Sequence, residues 1–283
     1  MTLSPPPRIM IEPLVRAALL EDLGRAGDIT SEAIVPAGQR ATAALISRQA
    51  GTVAGIEMAL LAFILIDPAV SVRVAAADGS TVAAGQVIAT LDGAARNLLT
   101  SERTALNFLS RLSGIATATA SIVSAVAGSK AGIVCTRKTT PGLRMIEKYA
   151  VRAGGGANHR FGLDDAMLIK DNHVAIAGGV LPALERAKAF AGHLVKIEVE
   201  VDTLAQLEEA LAVGVDAVLL DNMSLDDLRC AIAMVGGRAI TEASGRVNAQ
   251  TASAIAATGV DLISVGWITH SSPILDIGLD FCE

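Results

Sequence analysis

The chain has 283 residues and a formal net charge of −6, and 52% of its residues are hydrophobic while only 2% are aromatic. This length suits one large domain or two moderate ones, and the hydrophobic content excludes a disordered chain. With so few aromatic residues, the core must be built from Ala, Val, Leu and Ile, which suits helices packed on a buried sheet. The acidic balance disfavours nucleic acid or a membrane surface as a partner, so we expect neither.

The cysteines and the apolar stretches indicate the cellular compartment. Cys135, Cys230 and Cys282 are odd in number and have no CxxC spacing, which disfavours a disulfide framework or a zinc site. The longest apolar stretch, at residues 58–66, is shorter than the roughly 20 residues that span a bilayer. Residues 1–7 lack the charged start and apolar run of a signal peptide. We therefore expect a cytoplasmic protein.

The first third of the chain combines short strands and helices. The segment Asp28-Ile-Thr-Ser31 is predicted to be a turn. The predicted elements indicate an α+β layer with a meandering sheet. We predict helices over residues 14–23, 55–66 and 98–112, and strands over residues 43–46, 52–54, 70–75 and 86–91.

After about Gly114 the pattern changes to a regular alternation of apolar strands and amphipathic helices. Repeated β/α units imply a parallel sheet, arranged either as a doubly wound open sheet or as a β/α barrel. The predicted strands cover residues 133–138, 166–172, 195–201, 217–222, 239–244 and 262–266. The predicted helices cover residues 180–190, 204–213, 225–234 and 249–257.

The strand at residues 195–201 favours the barrel. Its Lys196, Glu198 and Glu200 share one face, because side chains alternate between the two faces of a strand. In an open sheet covered by helices on both sides, these charges would be buried under apolar side chains. In a barrel the same face can point into the lumen, where charges pair or bind a ligand.

The charges are unevenly distributed along the chain. Residues 137–170 contain seven basic residues and three acidic ones, so this segment carries +4 and the rest of the chain carries −10. A basic segment in an acidic protein attracts a small anion. A solvated basic face is the alternative, and composition alone favours neither reading.

Polar residues follow the apolar runs of the predicted strands. In β/α barrels the active site lies at the C-terminal ends of the strands, so we predict that these residues surround one site. They are Thr136-Arg137-Lys138, Lys170 to His173, Glu198 with Glu200, Asp221-Asn222, Ser244-Gly245 and Gly266.

The basic candidates differ in what they offer to an anion. Arg137 and Arg160 carry planar guanidinium groups that match carboxylate or phosphate. Lys138 and Lys170 are point charges suited to phosphate oxygens, and His159 can donate to an anion. Their convergence predicts a binding site for a small, highly anionic substrate.

The acidic candidates, Glu200 and Asp221, lie on neighbouring predicted strands. Their carboxylates fit Mg²⁺ coordination or hydrogen bonding to ribose hydroxyls. A salt bridge from Glu200 or Asp221 to Lys170 or Lys196 is the alternative, and the pattern leaves both open.

The last two predicted strands end in small residues that suit a phosphate. Ser244 and Gly245 precede a helix that Asn248 is predicted to cap, and Gly266 ends the last strand. Barrels often bind a phosphate through backbone amides of the loops that follow their final strands. Ordinary turn glycines are the alternative.

Longer motifs built from these residues carry a family resemblance. The chain resembles quinolinate phosphoribosyltransferases over nearly its whole length, and the central motif is long and specific. The motifs are Glu21-Asp-Leu-Gly24 with Gly27-Asp-Ile-Thr-Ser31, Glu102-Arg-Thr-Ala-Leu-Asn-Phe-Leu109, Thr136-Arg-Lys-Thr-Thr-Pro-Gly-Leu-Arg144, Glu147-Lys-Tyr-Ala-Val151, Gly154-Gly-Gly-Ala-Asn-His-Arg160, Leu168-Ile-Lys-Asp-Asn-His173, Ile197-Glu-Val-Glu-Val201, Val218-Leu-Leu-Asp-Asn-Met223 and Glu242-Ala-Ser-Gly245.

The resemblance implies an activity and a fold. Members of this family convert quinolinate and phosphoribosyl pyrophosphate to nicotinate mononucleotide, pyrophosphate and CO₂, with Mg²⁺, in NAD biosynthesis. Their α/β fold, that of a type II phosphoribosyltransferase, joins an N-terminal open α/β sandwich to an incomplete, seven-stranded β/α barrel. For this chain we expect the sandwich over residues 1–114, joined by residues 270–283, and the barrel over residues 115–269.

The resemblance also implies roles for individual residues. Members of the family form homodimers in which an arginine of one subunit completes the other's site, and Arg103 matches that arginine. Arg103, Arg137, His159 and Arg160 are expected to surround the two quinolinate carboxylates. The expected catalytic residues, which also bind substrate, are Lys138 and Lys170 toward the sugar phosphate and Glu200 and Asp221 toward the ribose hydroxyls and Mg²⁺. The residues expected to hold a phosphate through backbone amides are Ser244, Gly245 and Gly266.

One residue departs from the family pattern. Arg246 stands where the family often has a second glycine after Ser-Gly.

Three alternatives to the implied function are open. A pyrophosphorylase-like relative from molybdenum transport operons shares the expected fold with a different substrate. A Schiff-base aldolase would use Lys138 or Lys170 as its nucleophile. The hairpin at residues 78–89 resembles those of biotinyl or lipoyl carriers, but it has no lysine at its tip.

Overall fold

The computed structural model describes residues 3–282. Within that range, no helix combines the length and the apolar character needed to cross a membrane. The helices are α1 (Arg8–Leu23), α2 (Ile29–Ile34), α3 (Ile56–Ile66), α4 (Ala95–Ala125), α5 (Arg144–Ala153), α6 (Asp171–Ala177), α7 (Val180–Phe190), α8 (Leu204–Val213), α9 (Leu225–Val235), α10 (Ala249–Ala256) and α11 (Trp267–His270). The strands are β1 (Arg40–Ser47), β2 (Gly51–Thr52), β3 (Ser71–Val74), β4 (Thr81–Val82), β5 (Val87–Ala94), β6 (Gly132–Val134), β7 (Met167–Ile169), β8 (Ile197–Val201), β9 (Ala217–Asp221), β10 (Ile240–Ser244), β11 (Leu262–Ser264) and β12 (Ile277–Phe281).

The chain folds into two compact units. The segment Thr140–Gly155, which contains α5, belongs to the first unit, although it lies within the range 115–269 expected for the barrel. The first unit comprises Met1–Ala120, Thr140–Gly155 and Ser271–Glu283, and the second comprises Ser121–Thr139 and Gly156–His270.

The first unit contains an antiparallel four-stranded sheet in the order β12-β1-β5-β3. Strand β12 comes from the end of the chain and pairs with β1, with Ala43 opposite Phe281. The predicted turn at residues 28–31 is wrong, because α2 begins at Ile29. The side chain of Asp28 accepts a hydrogen bond from the backbone N–H of Ser31 at 2.9 Å, so Asp28 caps this helix.

Helix α4 is longer than the predicted helix at residues 98–112 and continues to Ala125. The pattern change at Gly114 is therefore not a helix end. A Cβ atom at this position would lie 2.1 Å from the carbonyl oxygen of Pro273, so the glycine permits a close backbone approach. The helix tolerates the cost of an internal glycine, about 1 kcal/mol relative to alanine.

The second unit contains a six-stranded sheet in the order β6-β11-β10-β9-β8-β7, and all of its strand pairs are parallel. The α/β fold class, with an antiparallel first sheet and a parallel second sheet, is therefore confirmed. The seventh position expected for the barrel is occupied by a single parallel bridge, in which Ala157 pairs with Val134 on the free edge of β6. Ala157 donates to the carbonyl of Ile133 at 2.8 Å and accepts from Cys135 at 3.2 Å.

Side chains on β8 show that this sheet curls on itself. Val199 and Val201 are fully buried on one face, as the alternation predicted. On the other face, Glu198 lies 2.9 Å from the imidazole of His159, which follows Ala157 at the opposite end of the sheet order. Such a contact requires the two ends of the sheet to face each other across an interior, so the charged face of β8 points into a barrel lumen.

Candidate active site

The C-terminal ends of the parallel strands enclose a cavity of about 270 Å³, here named the cation cavity. It brings together eight of the predicted site residues. Its lining residues are Thr136, Arg137, Lys138, His159, Arg160, Leu168, Lys170, Glu200, Leu219, Asp221, Glu242, Ser244 and Ser264.

The turn after β6 positions Arg137 and Lys138. The backbone N–H of Lys138 donates to the hydroxyl of Thr136 at 3.1 Å. The hydroxyl of Thr269 donates to the carbonyl oxygen of Lys138 at 2.7 Å. These two hydrogen bonds hold the peptide between strand and loop, so the two cations enter the cavity from an ordered backbone.

Arg160 is positioned by the segment that follows the Ala157 bridge. Its Nη1 donates to the carbonyl oxygen of Ala166 at 3.1 Å. Partial burial lowers the pKa of Arg160, and the Arg137 cation lowers it further. Two guanidinium groups near each other in a partly buried cavity create a positive potential that an anionic ligand would relieve.

The imidazole of His159 lines the cavity, but both of its nitrogens are engaged within the protein. Its Nδ1 accepts from the backbone N–H of Arg160 at 2.7 Å, and its Nε2 lies 2.9 Å from Oε2 of Glu198. A nitrogen that accepts a hydrogen bond carries no proton, so Nε2 is the donor. In this geometry His159 donates to Glu198 and not to an anion in the cavity.

The acidic candidates show one of the arrangements that the sequence left open, the salt bridge, and the role toward Mg²⁺ or ribose stays a prediction. Lys170 Nζ donates to Oε2 of Glu200 at 3.0 Å, so the salt bridge predicted as one alternative is present. Lys196 pairs instead with Asp216 at 2.5 Å on the surface. Glu200 and Asp221 nevertheless line the same cavity from the adjacent strands β8 and β9, and carboxylate oxygens of this kind suit a hard divalent cation.

A second cavity of about 370 Å³, here named the glycine-loop cavity, adjoins the first. The two cavities share Thr136, Lys138, Asp221, Ser244 and Ser264. The residues that line the glycine-loop cavity are Thr136, Lys138, Asp221, Asn222, Ser244, Gly245, Arg246, Val247, Ser264, Val265, Gly266, Trp267 and His270.

Backbone conformation explains why this loop needs glycine. Gly245 has φ +115°, and a Cβ atom there would lie 2.3 Å from Oδ1 of Asn222. Asn222 and Arg246, the two non-glycine residues of the described chain with positive φ, both line this cavity. The predicted cap is confirmed, since Oδ1 of Asn248 accepts from the backbone N–H groups of Gln250 and Thr251 at the start of α10.

Sequence reasoning missed Glu242 as a site residue. Glu242 is only 2% exposed, yet it lines the cation cavity from β10. Burial, followed by the Glu198 carboxylate, raises the pKa of Glu242 to about 7. The period-2 alternation could have identified it, because Glu242 lies two residues before Ser244 and therefore on the same face of the strand.

Arg103 is not among the residues that line the cation cavity or the glycine-loop cavity. It is exposed on α4 in the first unit, and its predicted role in a partner's site stays a prediction. Among the other basic residues of the segment, Lys148 is buried on α5 and Arg152 is exposed on the same helix.

Comparison with known proteins covers both units. The family model described as the quinolinate phosphoribosyl transferase C-terminal domain matches residues 115–280, and the corresponding N-terminal domain model matches residues 28–113. The nicotinate-nucleotide pyrophosphorylase [carboxylating] of Mycobacterium leprae is 48% identical over 271 residues, which are 94% of this chain and 95% of that protein. A probable enzyme of the same name from Bacillus subtilis is 44% identical over 96% of this chain and 93% of that protein. The crystal structure of NadC from Streptococcus pyogenes superposes with a TM-score of 0.94 at 41% identity, covering 99% of this chain and all of that one.

Proposed function

This chain belongs to the quinolinate phosphoribosyltransferase family, and from that premise we propose that its two adjoining cavities convert quinolinate and phosphoribosyl pyrophosphate to nicotinate mononucleotide, pyrophosphate and CO₂. The observation that carries the proposal is the convergence of cations and carboxylates at the ends of parallel strands. A dicarboxylate and a sugar pyrophosphate together need both kinds of group.

Quinolinate is expected to bind in the cation cavity, with its two carboxylates toward Arg137 and Arg160. Two guanidinium groups that line the same cavity favour a ligand with two negative charges over one with a single charge. The imidazole of His159 is held by its hydrogen bond to Glu198. His159 therefore supports this site by its position and not by donating a hydrogen bond to quinolinate. The charge argument therefore favours quinolinate over nicotinate.

The phosphoribosyl group is expected to extend into the glycine-loop cavity. Lys138 lines both cavities and can reach a phosphate oxygen in either, while Lys170 lines the cation cavity. The backbone amides near Ser244, Gly245 and Gly266 suit a phosphate, because glycine lets an anion approach the main chain closely.

Glu200 and Asp221 are the residues that would hold Mg²⁺. Their oxygens are of the type that this ion prefers, and Mg²⁺ is commonly bound by one or two carboxylates together with substrate phosphates. When bound, the ion would neutralise negative charge on the pyrophosphate leaving group. The same two carboxylates would also accept hydrogen bonds from ribose hydroxyls.

The charges of the site match those that develop during the reaction. Breaking the bond between the ribosyl carbon and pyrophosphate develops positive charge on the sugar and negative charge on the leaving group. Glu200 and Asp221 stabilise the sugar, whereas Lys138 and Lys170 stabilise the phosphates. After transfer, loss of the 2-carboxylate as CO₂ leaves an electron pair on ring carbon C2, beside the positively charged ring nitrogen.

The proposed assembly is a cytoplasmic homodimer in which Arg103 of each subunit enters the partner's site. The support is indirect, from the family resemblance and from the position of Arg103 as an exposed cation on α4. A third cation near the quinolinate carboxylates would complete the charge balance of a dicarboxylate ligand.

The decisive experiment supplies the purified protein with quinolinate, phosphoribosyl pyrophosphate and Mg²⁺ and follows nicotinate mononucleotide, pyrophosphate and CO₂. We expect all three products with quinolinate and none with nicotinate in its place. Folded protein that makes no nucleotide from quinolinate would contradict the proposal. Trapping of Lys138 or Lys170 by borohydride with a carbonyl substrate would instead support the Schiff-base alternative.

A further inference from the structure

His159 and Glu242, which line the cation cavity, form with Glu198 a largely buried cluster that has no assigned part in the phosphoribosyl transfer step. One ligand atom from each side chain lies within 4.8 Å of the other two. The His159 Nε2 atom is 2.9 Å from Glu198 Oε2 and 3.7 Å from Glu242 Oε1. Among the residues that the structure describes, none donates a hydrogen bond to the buried Oε1 of Glu242.

The hydrogen bonds around this cluster identify where its proton resides. His159 Nδ1 accepts from the backbone N–H of Arg160, so Nε2 is the nitrogen that faces Glu198 as the donor. The side chain of Glu242 is only 2% exposed, and ionisation there would carry a desolvation penalty and repulsion from the Glu198 carboxyl group. The imidazole of His159 donates to Glu198, whereas no described residue donates to Oε1 of Glu242, so Glu242 has the geometry of a buried acid that keeps its proton.

The side chains around Glu242 on the adjacent strands β9 and β11 are consistent with a protonated Glu242. Strand β9 faces the cavity with the apolar Leu219, and β11 contributes the hydroxyl of Ser264. Burial and the Glu198 carboxylate raise the pKa of Glu242 to about 7, while His159 and Ser264 act in the opposite direction. The charged or titratable side chains that line the cavities on either side of the cluster are Arg137, Lys138, His159, Arg160, Lys170, Lys196, Glu198, Glu200, Asp216 and Asp221.

A third cavity, of about 260 Å³, lies on the other side of the cluster. His159, Arg160 and Glu242 line both this lower cavity and the cation cavity, so the cluster separates the two. Most of the other residues that line the lower cavity lie at or next to the N-terminal ends of the strands, the end opposite to the substrate. The lining residues at those ends are Met167, Ile197, Ala217, Ile240 and Leu262.

We propose that Glu242 is the acid that protonates ring carbon C2 as CO₂ leaves, and that its proton is then replaced through the lower cavity. The inference rests on the proposed function, because only a decarboxylating reaction needs this proton. The bond from C2 to the carboxylate carbon breaks, its electron pair stays on C2, and CO₂ departs. The Glu242 proton moves to C2 and forms the new C–H bond, which leaves Glu242 as a carboxylate until a proton returns from solvent.

The test measures phosphoribosyl transfer and decarboxylation separately in the Glu242→Gln variant. Glutamine matches the shape and neutral charge of a protonated glutamate but has no acidic proton, so the KM for quinolinate should stay near that of the unsubstituted chain. With quinolinate labelled in its 2-carboxylate, single-turnover pyrophosphate release should be unchanged. Release of labelled CO₂ should be slowed about 100-fold, a typical contribution of one general acid, and phosphoribosylated quinolinate should accumulate.

The pH profile adds a signature that a purely structural role would not produce. In the unsubstituted chain, the rate of CO₂ release should decline as the pH rises through about 7, because Glu242 loses its proton there. Glu242→Gln should lack this decline. Glu242→Asp, which retains an acid on a shorter side chain, should restore part of the CO₂ rate. Glu209→Gln, exposed on α8, serves as the matched control and should leave both rates unchanged.

The rates of pyrophosphate and CO₂ release decide whether Glu242 has the proposed role. Equal slowing of pyrophosphate and CO₂ release in Glu242→Gln, or no slowing of either, would overturn it. If Glu242→Gln does not fold, Glu242→Asp is read instead, and an unchanged ratio of the two rates with an unchanged pH profile would overturn it. If the unsubstituted chain releases neither product, the proposed function fails, and that result is distinct from a failure of the Glu242 role alone.

Discussion

At the scale of single residues, the glycine-loop cavity contains two neighbouring positions whose backbone conformations both favour glycine. Gly245 combines φ +115° with a close approach to Asn222, so no other residue fits without moving the loop. Arg246 has φ +45°, a conformation that glycine adopts more readily than arginine. The position where this chain departs from its family therefore retains the backbone that suits the family's glycine.

These conformations predict different results for two adjacent substitutions. Gly245→Ala should destabilise the fold by about 1–3 kcal/mol and impair turnover, because the new Cβ strains the loop that faces the phosphate. Arg246→Gly should keep activity, because the loop conformation is already one that glycine favours. Thermal unfolding and steady-state turnover of both variants check the pair. Complete loss of turnover in folded Arg246→Gly would show that the arginine side chain is required.

Glu242 also links stability to pH. Its pKa is raised from its ordinary value of 4.5 to about 7, so between these values the folded chain binds more protons than the unfolded chain. The stability that this group contributes is fully present below about pH 4.5 and is lost as the pH rises through about 7. The loss is of the order of 3 kcal/mol, from the free energy that corresponds to such a shift.

The linkage predicts a difference between two stability profiles. From pH 5 to pH 8, the thermal midpoint of the unsubstituted chain should fall more steeply than that of Glu242→Gln, whose side chain does not titrate. Calorimetry at matched ionic strength measures both profiles. Parallel profiles would mean that Glu242 has the same protonation in the folded and unfolded states.

At the scale of elements, a buried carboxylate joins helices α4 and α5. Glu147 is fully buried on α5 and accepts from Arg111 Nη2 of α4 at 2.9 Å. It also accepts from the hydroxyl and the backbone N–H of Thr140, at 2.8 and 3.0 Å. A buried charge satisfied from several sides fixes the position of α5, and removal of the charge leaves Arg111 poorly compensated.

This network predicts that Glu147→Gln lowers the free energy of unfolding by about 2 kcal/mol or more. The matched control is Glu12→Gln on α1, where a partly exposed glutamate also pairs with arginines, Arg8 and Arg16. Solvent screens that surface pair, so its loss should have little effect. Chemical denaturation of the two variants gives the comparison. Equal effects of the two substitutions would show that burial of Glu147 contributes nothing.

At the scale of the whole molecule, the proposed sharing of Arg103 predicts complementation between inactive subunits. Arg103→Ala and Lys138→Ala should each abolish turnover alone. Mixed at equal amounts, they should recover about a quarter of the unsubstituted activity, because half of randomly formed dimers are mixed and each mixed dimer holds one complete site. The measurement is turnover after co-refolding. If Arg103 serves its own chain, no mixed dimer has a complete site and no activity returns.

The sequence alone was sufficient for those properties that depend on local order along the chain. Strand alternation and the residues after each strand identified the ends of β6 to β11 and most of the cation cavity, since parallel strands bring their C-terminal ends together. The motifs at residues 136–173 identified the family. Helix α2 and the length of α4 were missed, because Asp28 was interpreted as a turn residue and Gly114 as a boundary.

Only the tertiary structure decided how distant residues act on one another. His159 and Glu198 are 39 residues apart, and they meet because the sheet curls until its ends face each other. That curvature brings the His159 Nε2 atom to Glu198 and buries Glu242 beside them, and through this burial it supports the protonation that we propose for decarboxylation. A hydrogen bond across a barrel interior depends on three-dimensional closure, which has no signature in the spacing of residues along the chain.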